Sequence, residues 1–260
     1  MNFEEKGKLI AVIKDSENEK RRAKKKEDKL LYVDDKANNS INHYECDYNE
    51  TIQQLPDKET ERSILYITGP SGSGKSYYTK NYILEYKKMF KNNNIYIFSS
   101  LESDETLDKI PKIKRIKFSE KFMMHDFKIN DFTDSLVIFD DVDSETNKLK
   151  KIKIFSILSM ILNTGRHERV SVIFTSHLSC AGNETKLILS EAHSITIFPK
   201  NAGNRSLKYL LDSYFGLDKH QIKYIKDVKD SRWVTIIKTY PSVLISEKEC
   251  IVLNSITKES

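Results

Sequence analysis

Eight consecutive residues, Gly69-Pro70-Ser71-Gly72-Ser73-Gly74-Lys75-Ser76, satisfy the pattern G-x-x-x-x-G-K-[ST] at every fixed position. Such a run suits one kind of chemistry, the wrapping of a chain of phosphates. Its glycines admit positive φ, so that successive backbone N–H groups turn inward around a β-phosphate. A lysine at position 75 then reaches the β- and γ-phosphates as a point charge, and the Ser76 hydroxyl is a ligand for Mg²⁺. Tyr77 closes the expected phosphate-binding stretch. The whole chain of 260 residues has only 8 glycines, and Gly69, Gly72 and Gly74 all fall in this turn.

A second group of residues supplies the acids. Leu136-Val137-Ile138-Phe139-Asp140-Asp141 is an apolar run that ends in adjacent carboxylates, about 65 positions after Lys75. That is a common gap between a phosphate loop and its metal-holding acid. At the end of a strand beside the phosphate loop, Asp140 is placed to hold Mg²⁺, usually through water. Asp141 is placed to orient a water for in-line attack on the γ-phosphate, with Asp143 as its substitute. Adjacent acids favour hydrolysis over simple switching. The nearest approach to a guanine-reading motif, Asn147-Lys148-Leu149-Lys150, lacks the required acid, so ATP is the default nucleotide.

Phosphoryl transfer also needs positive charge, often an arginine from a neighbouring subunit. Gly165-Arg166-His167-Glu168-Arg169 stands between a helical segment and the next strand, at the end of the sheet away from the phosphate loop. Arg166 is the first candidate for such a trans-acting arginine, with Arg169, Arg205 and Arg232 behind it. Thr175-Ser176-His177 ends the following strand, where His177 or Ser176 can sense the γ-phosphate.

These groups need a sheet to hold them. Ile64–Thr68 reads as a short buried strand leading into the glycine turn, and Tyr78, Tyr82, Ile83, Tyr86 and Phe90 lead out at helical spacing. Further strands are predicted at Ile95–Phe98, Ile113–Phe118 (an edge), Leu136–Phe139, Val170–Phe174 and Ile195–Phe198. Helices fall between them, one with Phe155, Leu158, Ile161 and Leu162 on one side and another near Thr185–Ala192. Strands alternating with helices imply an α/β fold with a mostly parallel sheet. The predicted division is an appendage over 1–60, a core over 61–205 and a small α+β extension over 206–260. In the appendage, Leu9–Ile13 and Leu30–Val33 can pair as a hairpin around the basic run Lys20–Lys26, and Asn38–Glu50 reads as loop. In the extension, helices are predicted around Leu207–Tyr214 and Lys219–Val228. Antiparallel strands follow at Trp233–Ile237 and Ser242–Ile245.

Net charge is +5, a mild basic bias compatible with nucleic acid. Cys46, Cys180 and Cys250 are widely spaced, which suggests a reducing compartment and no disulfide framework. No apolar stretch approaches membrane-spanning length, and the expectation is a soluble intracellular protein.

With Gly69–Ser76, Leu136–Asp141, Gly165–His167, Val170–His177 and Glu191–Pro199 in place, residues 60–200 resemble P-loop ATPases. More narrowly, the chain is similar to the genome-packaging ATPases of large DNA viruses and virophages, the poxvirus-like branch of the FtsK/HerA superfamily. The resemblance implies a ring of subunits that threads double-stranded DNA into a capsid, with capsid or portal components as partners. It also implies a location in the host cytoplasm or the virion. Asp141 stands where the family commonly has Glu, and Ser176-His177 where it commonly has Gln. Candidate DNA-contacting residues are Lys112, Lys114, Arg115 and Lys117. A small-metabolite kinase and an ATP-regulated DNA-binding scaffold are the competing expectations.

Overall fold

The computed structural model describes residues 1–15, 28–36, 39–101, 103–177, 180 and 183–256. The basic run Lys20–Lys26 lies outside the described residues. By contact density the chain divides into a core unit, Thr60–Ala192, and a second unit made of Met1–Glu59 together with His193–Ser260. The terminal segments, predicted as separate appendages, thus belong to one unit, and the boundary at 205 moves to 192.

In the terminal unit, β1 (Lys8–Asp15) pairs antiparallel with β2 (Lys29–Val33), as the apolar runs predict. The segment predicted as loop contains β3 (His43–Glu45), and β4 (Glu50–Gln54) lies on the other side of β1. The predicted hairpin is therefore a three-stranded sheet in the order β2-β1-β4.

The core unit is a parallel sheet of β5 (Ile64–Thr68), β6 (Asn94–Ser99), β7 (Ile113–Ile116), β8 (Ser135–Asp140) and β9 (Val170–Ser176), ordered β5-β9-β8-β6-β7. Every residue of β5, β8 and β9 is buried, which explains the apolar runs Ile64–Ile67, Leu136–Phe139 and Val172–Phe174. β7 is the edge predicted for it, and its exposed Lys114 fits that place. Helices Lys75–Met89, Lys148–Thr164 and Asn183–Glu191 connect the strands.

Register within this sheet decides which side chains meet at the strand ends. Phe98, Phe139, Phe174 and Tyr66 pair in sequence across β6, β8, β9 and β5. Their rings form a stacked rung, with centroids 5.1, 6.4 and 5.9 Å apart. The next rung, at the carboxyl ends of the strands, carries Ser99 opposite Asp140, and then Thr175 one step beyond the Phe139–Phe174 pair.

The carboxyl-terminal half of the terminal unit begins with β10 (Ser194–Ile197). Helices Asn204–Phe215 and Lys219–Asp227 follow, then β11 (Val234–Ile237), β12 (Val243–Ser246) and β13 (Glu249–Val252). These strands are antiparallel in the order β3-β13-β12-β11-β10. Gly216 ends the first helix in the left-handed conformation. Among the described residues no helix is long and apolar enough to cross a membrane.

Candidate active site

The glycine turn joins β5 to the Lys75–Met89 helix. Gly72 (φ 75°) and Gly74 (φ 114°) both adopt the left-handed region that side-chain-bearing residues avoid. Gly74 is the helix N-cap and makes no side-chain cap, and no acid occupies the first turn. The helix therefore presents its leading N–H groups and positive dipole end without a competing side-chain anion in its own first turn. The Gly69 N–H donates to the Ser176 carbonyl at 3.1 Å, which ties the start of the turn to the end of β9.

Lys75 is buried, and its ammonium donates to the Gly69 carbonyl at 3.0 Å. It also lies 3.1 Å from His177 Nδ1 and 3.7 Å from Asp141 Oδ1. His177 Nε2 is 3.0 Å from Asp141 Oδ2. An imidazole that accepts the ammonium at Nδ1 can donate from Nε2 to Asp141. Lys75, His177 and Asp141 thus close a triangle at the carboxyl edge of the sheet, joining residues up to 102 positions apart.

Asp140 is 4% exposed. The Thr175 hydroxyl approaches its Oδ1 at 2.9 Å, and the Ser99 hydroxyl lies 3.4 Å from its Oδ2. Burial, and secondarily the charge of Asp141, pushes the Asp140 carboxyl above its ordinary range, with Thr175 opposing the shift. Asp141 departs from strand geometry, with φ 48° and ψ 32°. Its N–H donates to Thr175 Oγ1 at 2.9 Å.

Asp143 has a different setting. It accepts a hydrogen bond from Ser176 at 2.5 Å, and its Oδ1 is buried and has no partner among the described residues. Burial raises its carboxyl as well. Asp141, and not Asp143, faces Lys75, while His177 touches the lysine and Ser176 is turned to Asp143.

The arginines separate by surroundings. Arg166 is exposed in the turn before β9, so about 20 Å of strand separates it from its own phosphate loop. Arg169 grips both oxygens of Asp134, at 2.6 and 2.9 Å, and also lies 3.2 Å from Glu61. Arg205 and Arg232 are exposed and belong to the terminal unit. Below the Arg166 turn, the buried Arg62 donates to the carbonyls of Ile161, Leu162 and Val170. On the edge strand, Arg115 pairs with Asp108 and Lys114 donates to Asn94 at 3.0 Å. Lys112 has φ 66°, and Lys117 is exposed just beyond the strand.

Two site residues had no role assigned from the sequence, Ser99 and Thr175, although Thr175 begins the Thr175-Ser176-His177 strand end. Each is a small hydroxyl at a strand end, and only the register shows that it meets Asp140.

Comparison with known proteins agrees with this architecture. No protein-family model matches the chain. The crystal structure of B204, the DNA-packaging ATPase from Sulfolobus Turreted Icosahedral Virus, superposes with TM-score 0.50 and 15% identity, covering 72% of this chain and 97% of B204. The pCW3 conjugation coupling protein TcpA, in a monomer form with ATPγS, gives TM-score 0.51 and 13% identity over 92% of this chain and 77% of that one. These likenesses establish the P-loop ATPase fold. In sequence, Uncharacterized protein V3 of Sputnik virophage is 41% identical over 189 residues, which is 72% of this chain and 75% of V3. At that identity and coverage, the chain belongs to the same protein family as Sputnik virophage protein V3.

Proposed function

We propose that the chain is an ATP-hydrolysing motor that moves double-stranded viral DNA into a capsid. The observation that carries this reading is the 3.7 Å approach of Lys75 in the glycine turn to Asp141 at the end of β8, with Asp140 one residue before. Residues Gly69 to Tyr77 cradle the phosphates, Lys75 neutralises the β- and γ-oxygens, and Asp141 orients the attacking water. His177 bridges Lys75 and Asp141, so a change at the γ-phosphate that moves the lysine is passed to the acid. The donor set suits Mg²⁺. The metal needs few protein ligands beside phosphate oxygens, and Asp140 offers a buried carboxylate held by hydroxyls, with Ser76 supplying a further oxygen. When bound, that ion neutralises charge developing on the phosphates.

DNA and capsid enter through likeness, since B204 is described as a DNA-packaging ATPase and TcpA as a conjugation coupling protein. Arg166 fits a finger supplied in trans to a ring neighbour, because it is exposed and far from its own loop. The test is phosphate release from Mg-ATP with no acceptor added, with and without duplex DNA. Turnover that rises several-fold with duplex and vanishes in Lys75→Ala supports the motor. Turnover only with an acceptor identifies a kinase, and assembly on DNA without turnover identifies a scaffold.

A further inference from the structure

Thr175 is completely buried, one residue before the end of β9. Its Oγ1 accepts the Asp141 N–H at 2.9 Å, lies 2.9 Å from Asp140 Oδ1 and 3.3 Å from Asp141 Oδ1. A threonine hydroxyl has one proton and two lone pairs. The Asp141 amide uses one lone pair, and the single proton serves one carboxylate at a time, Asp140 being the nearer.

Consecutive strand residues point to opposite faces, so Asp140 and Asp141 would not ordinarily meet at a common atom. They meet here because Asp141 has turned into the left-handed region, φ 48°. A non-glycine residue stays there only where its surroundings hold it. The Asp141 N–H to Thr175 is one such restraint, and the bonds from Ser144 N and Oγ to the Asp141 carbonyl, at 3.2 and 2.6 Å, are others. Ser144 holds the outer side of the kink, and Thr175 holds its inner side.

We propose that Thr175 is a positioning residue whose hydroxyl sets Asp140 and Asp141 relative to one another, so that turnover depends on it and nucleotide binding does not. The proposal rests on the ATPase reading above. Being buried, Thr175 does not touch the nucleotide and acts through the two acids. Valine keeps the branched shape and removes both the donor and the acceptor. Serine keeps the hydroxyl and loses only the methyl.

The experiment compares steady-state Mg-ATP hydrolysis by the full-length wild type, Thr175→Val and Thr175→Ser, alongside the Kd of a fluorescent ATP analogue and thermal unfolding. Misplacing a catalytic group by about 1 Å costs on the order of 10²-fold. Thr175→Val is therefore expected to lose kcat by about that factor, with KM and Kd within about threefold of wild type. Thr175→Ser is expected to retain kcat within about fivefold, which a purely packing role would not produce. If the valine variant fails to fold, Thr175→Ala makes the same comparison without a second branch to accommodate. An active wild type with an equally active valine variant overturns the proposal alone, as does a serine variant that falls as far as valine. A wild type that hydrolyses no ATP overturns the underlying reading and the proposal with it.

Discussion

Asp141→Asn separates the two jobs that the site must do, because it moves binding and turnover in opposite directions. In the structure the Asp141 carboxylate is shared between Lys75 at 3.7 Å and His177 at 3.0 Å. A nucleotide must draw the same lysine to its phosphates, so Asp141 competes with it. At an effective dielectric of about 20, opposite unit charges at that separation attract by about 4.5 kcal/mol. Asp141 is partly open to solvent, with 20% of its side chain exposed, so screening reduces the usable part to about 1 kcal/mol. Asparagine removes the competing charge and one source of repulsion against the γ-phosphate. The expected result is nucleotide binding about fivefold tighter than wild type, or unchanged at high salt.

Turnover goes the other way. Loss of the group that orients and deprotonates water typically costs about 10²–10⁴ in rate, or about 3–5.5 kcal/mol of barrier. Lys75→Ala has the opposite signature, lost binding together with lost turnover. The assay pairs calorimetric titration of a non-hydrolysable ATP analogue with phosphate release at saturating ATP. Turnover by Asp141→Asn within about threefold of wild type refutes the assignment of the water-orienting role. Binding weakened as in Lys75→Ala shows instead that Asp141 is needed to build the turn.

Three further outcomes are expected from the same geometry. Asp140 has a folded-state pKa raised by burial, so the folded chain holds more protons than the unfolded one just above the ordinary carboxylate range, and stability falls as pH rises through that window. Asp140→Asn is therefore expected to raise Tm near neutral pH while abolishing Mg-dependent hydrolysis. That gain closes as the pH is lowered, and a lower Tm at neutral pH would contradict it. Arg62→Met leaves the carbonyls of Ile161, Leu162 and Val170 without their donor, and is expected to cost about 2–4 kcal/mol by urea unfolding with an unchanged m-value. Arg166→Ala is expected to leave nucleotide affinity intact and lower assembled turnover by about 10³ or more. Mixing it with Lys75→Ala subunits restores part of the activity if the arginine acts in trans, and restores none if it acts within its own subunit.

The core strands were legible because burial on both faces writes itself as an unbroken apolar run, as in Leu136–Phe139. β4 was not legible, because its interior is polar. Glu50 is buried through the ammonium of Lys29 and the hydroxyl of Tyr44, and Gln54 through Ser194, partners that periodicity does not count. In the site, the phosphate loop declares itself by glycine spacing, since left-handed φ at Gly72 and Gly74 is a local demand. The choice between Asp141 and Asp143 is not local. It depends on the kink at Asp141 and on Ser176, more than 30 residues away, taking up Asp143. Arg166 and Arg169 look alike in sequence, and Asp134 and Glu61 tell them apart by occupying Arg169.

The stacked rung Phe98–Phe139–Phe174–Tyr66 gives these observations a common cause. A register slip of one residue would turn each aromatic to the other face of the sheet, so packing of the rings specifies the register strongly. Once that rung is fixed, the following residue of each strand is fixed too, and those four residues are Ser99, Asp140, Thr175 and Ile67. The proposed metal-holding carboxylate is therefore placed by the sheet itself. Asp141 is the first residue past that row, and its neighbours Lys75 and His177 lie on separate elements. Adjustment between binding and hydrolysis then falls to the Lys75–His177–Asp141 triangle, where side chains can exchange partners while the strand ends stay still. On this view a substitution in the aromatic rung, such as Phe139→Leu, degrades turnover more than nucleotide affinity. The acids end the rung strands themselves, while the left-handed Gly72 and Gly74 lie beyond the one bond, Gly69 N–H to the Ser176 carbonyl, that ties the turn to β9.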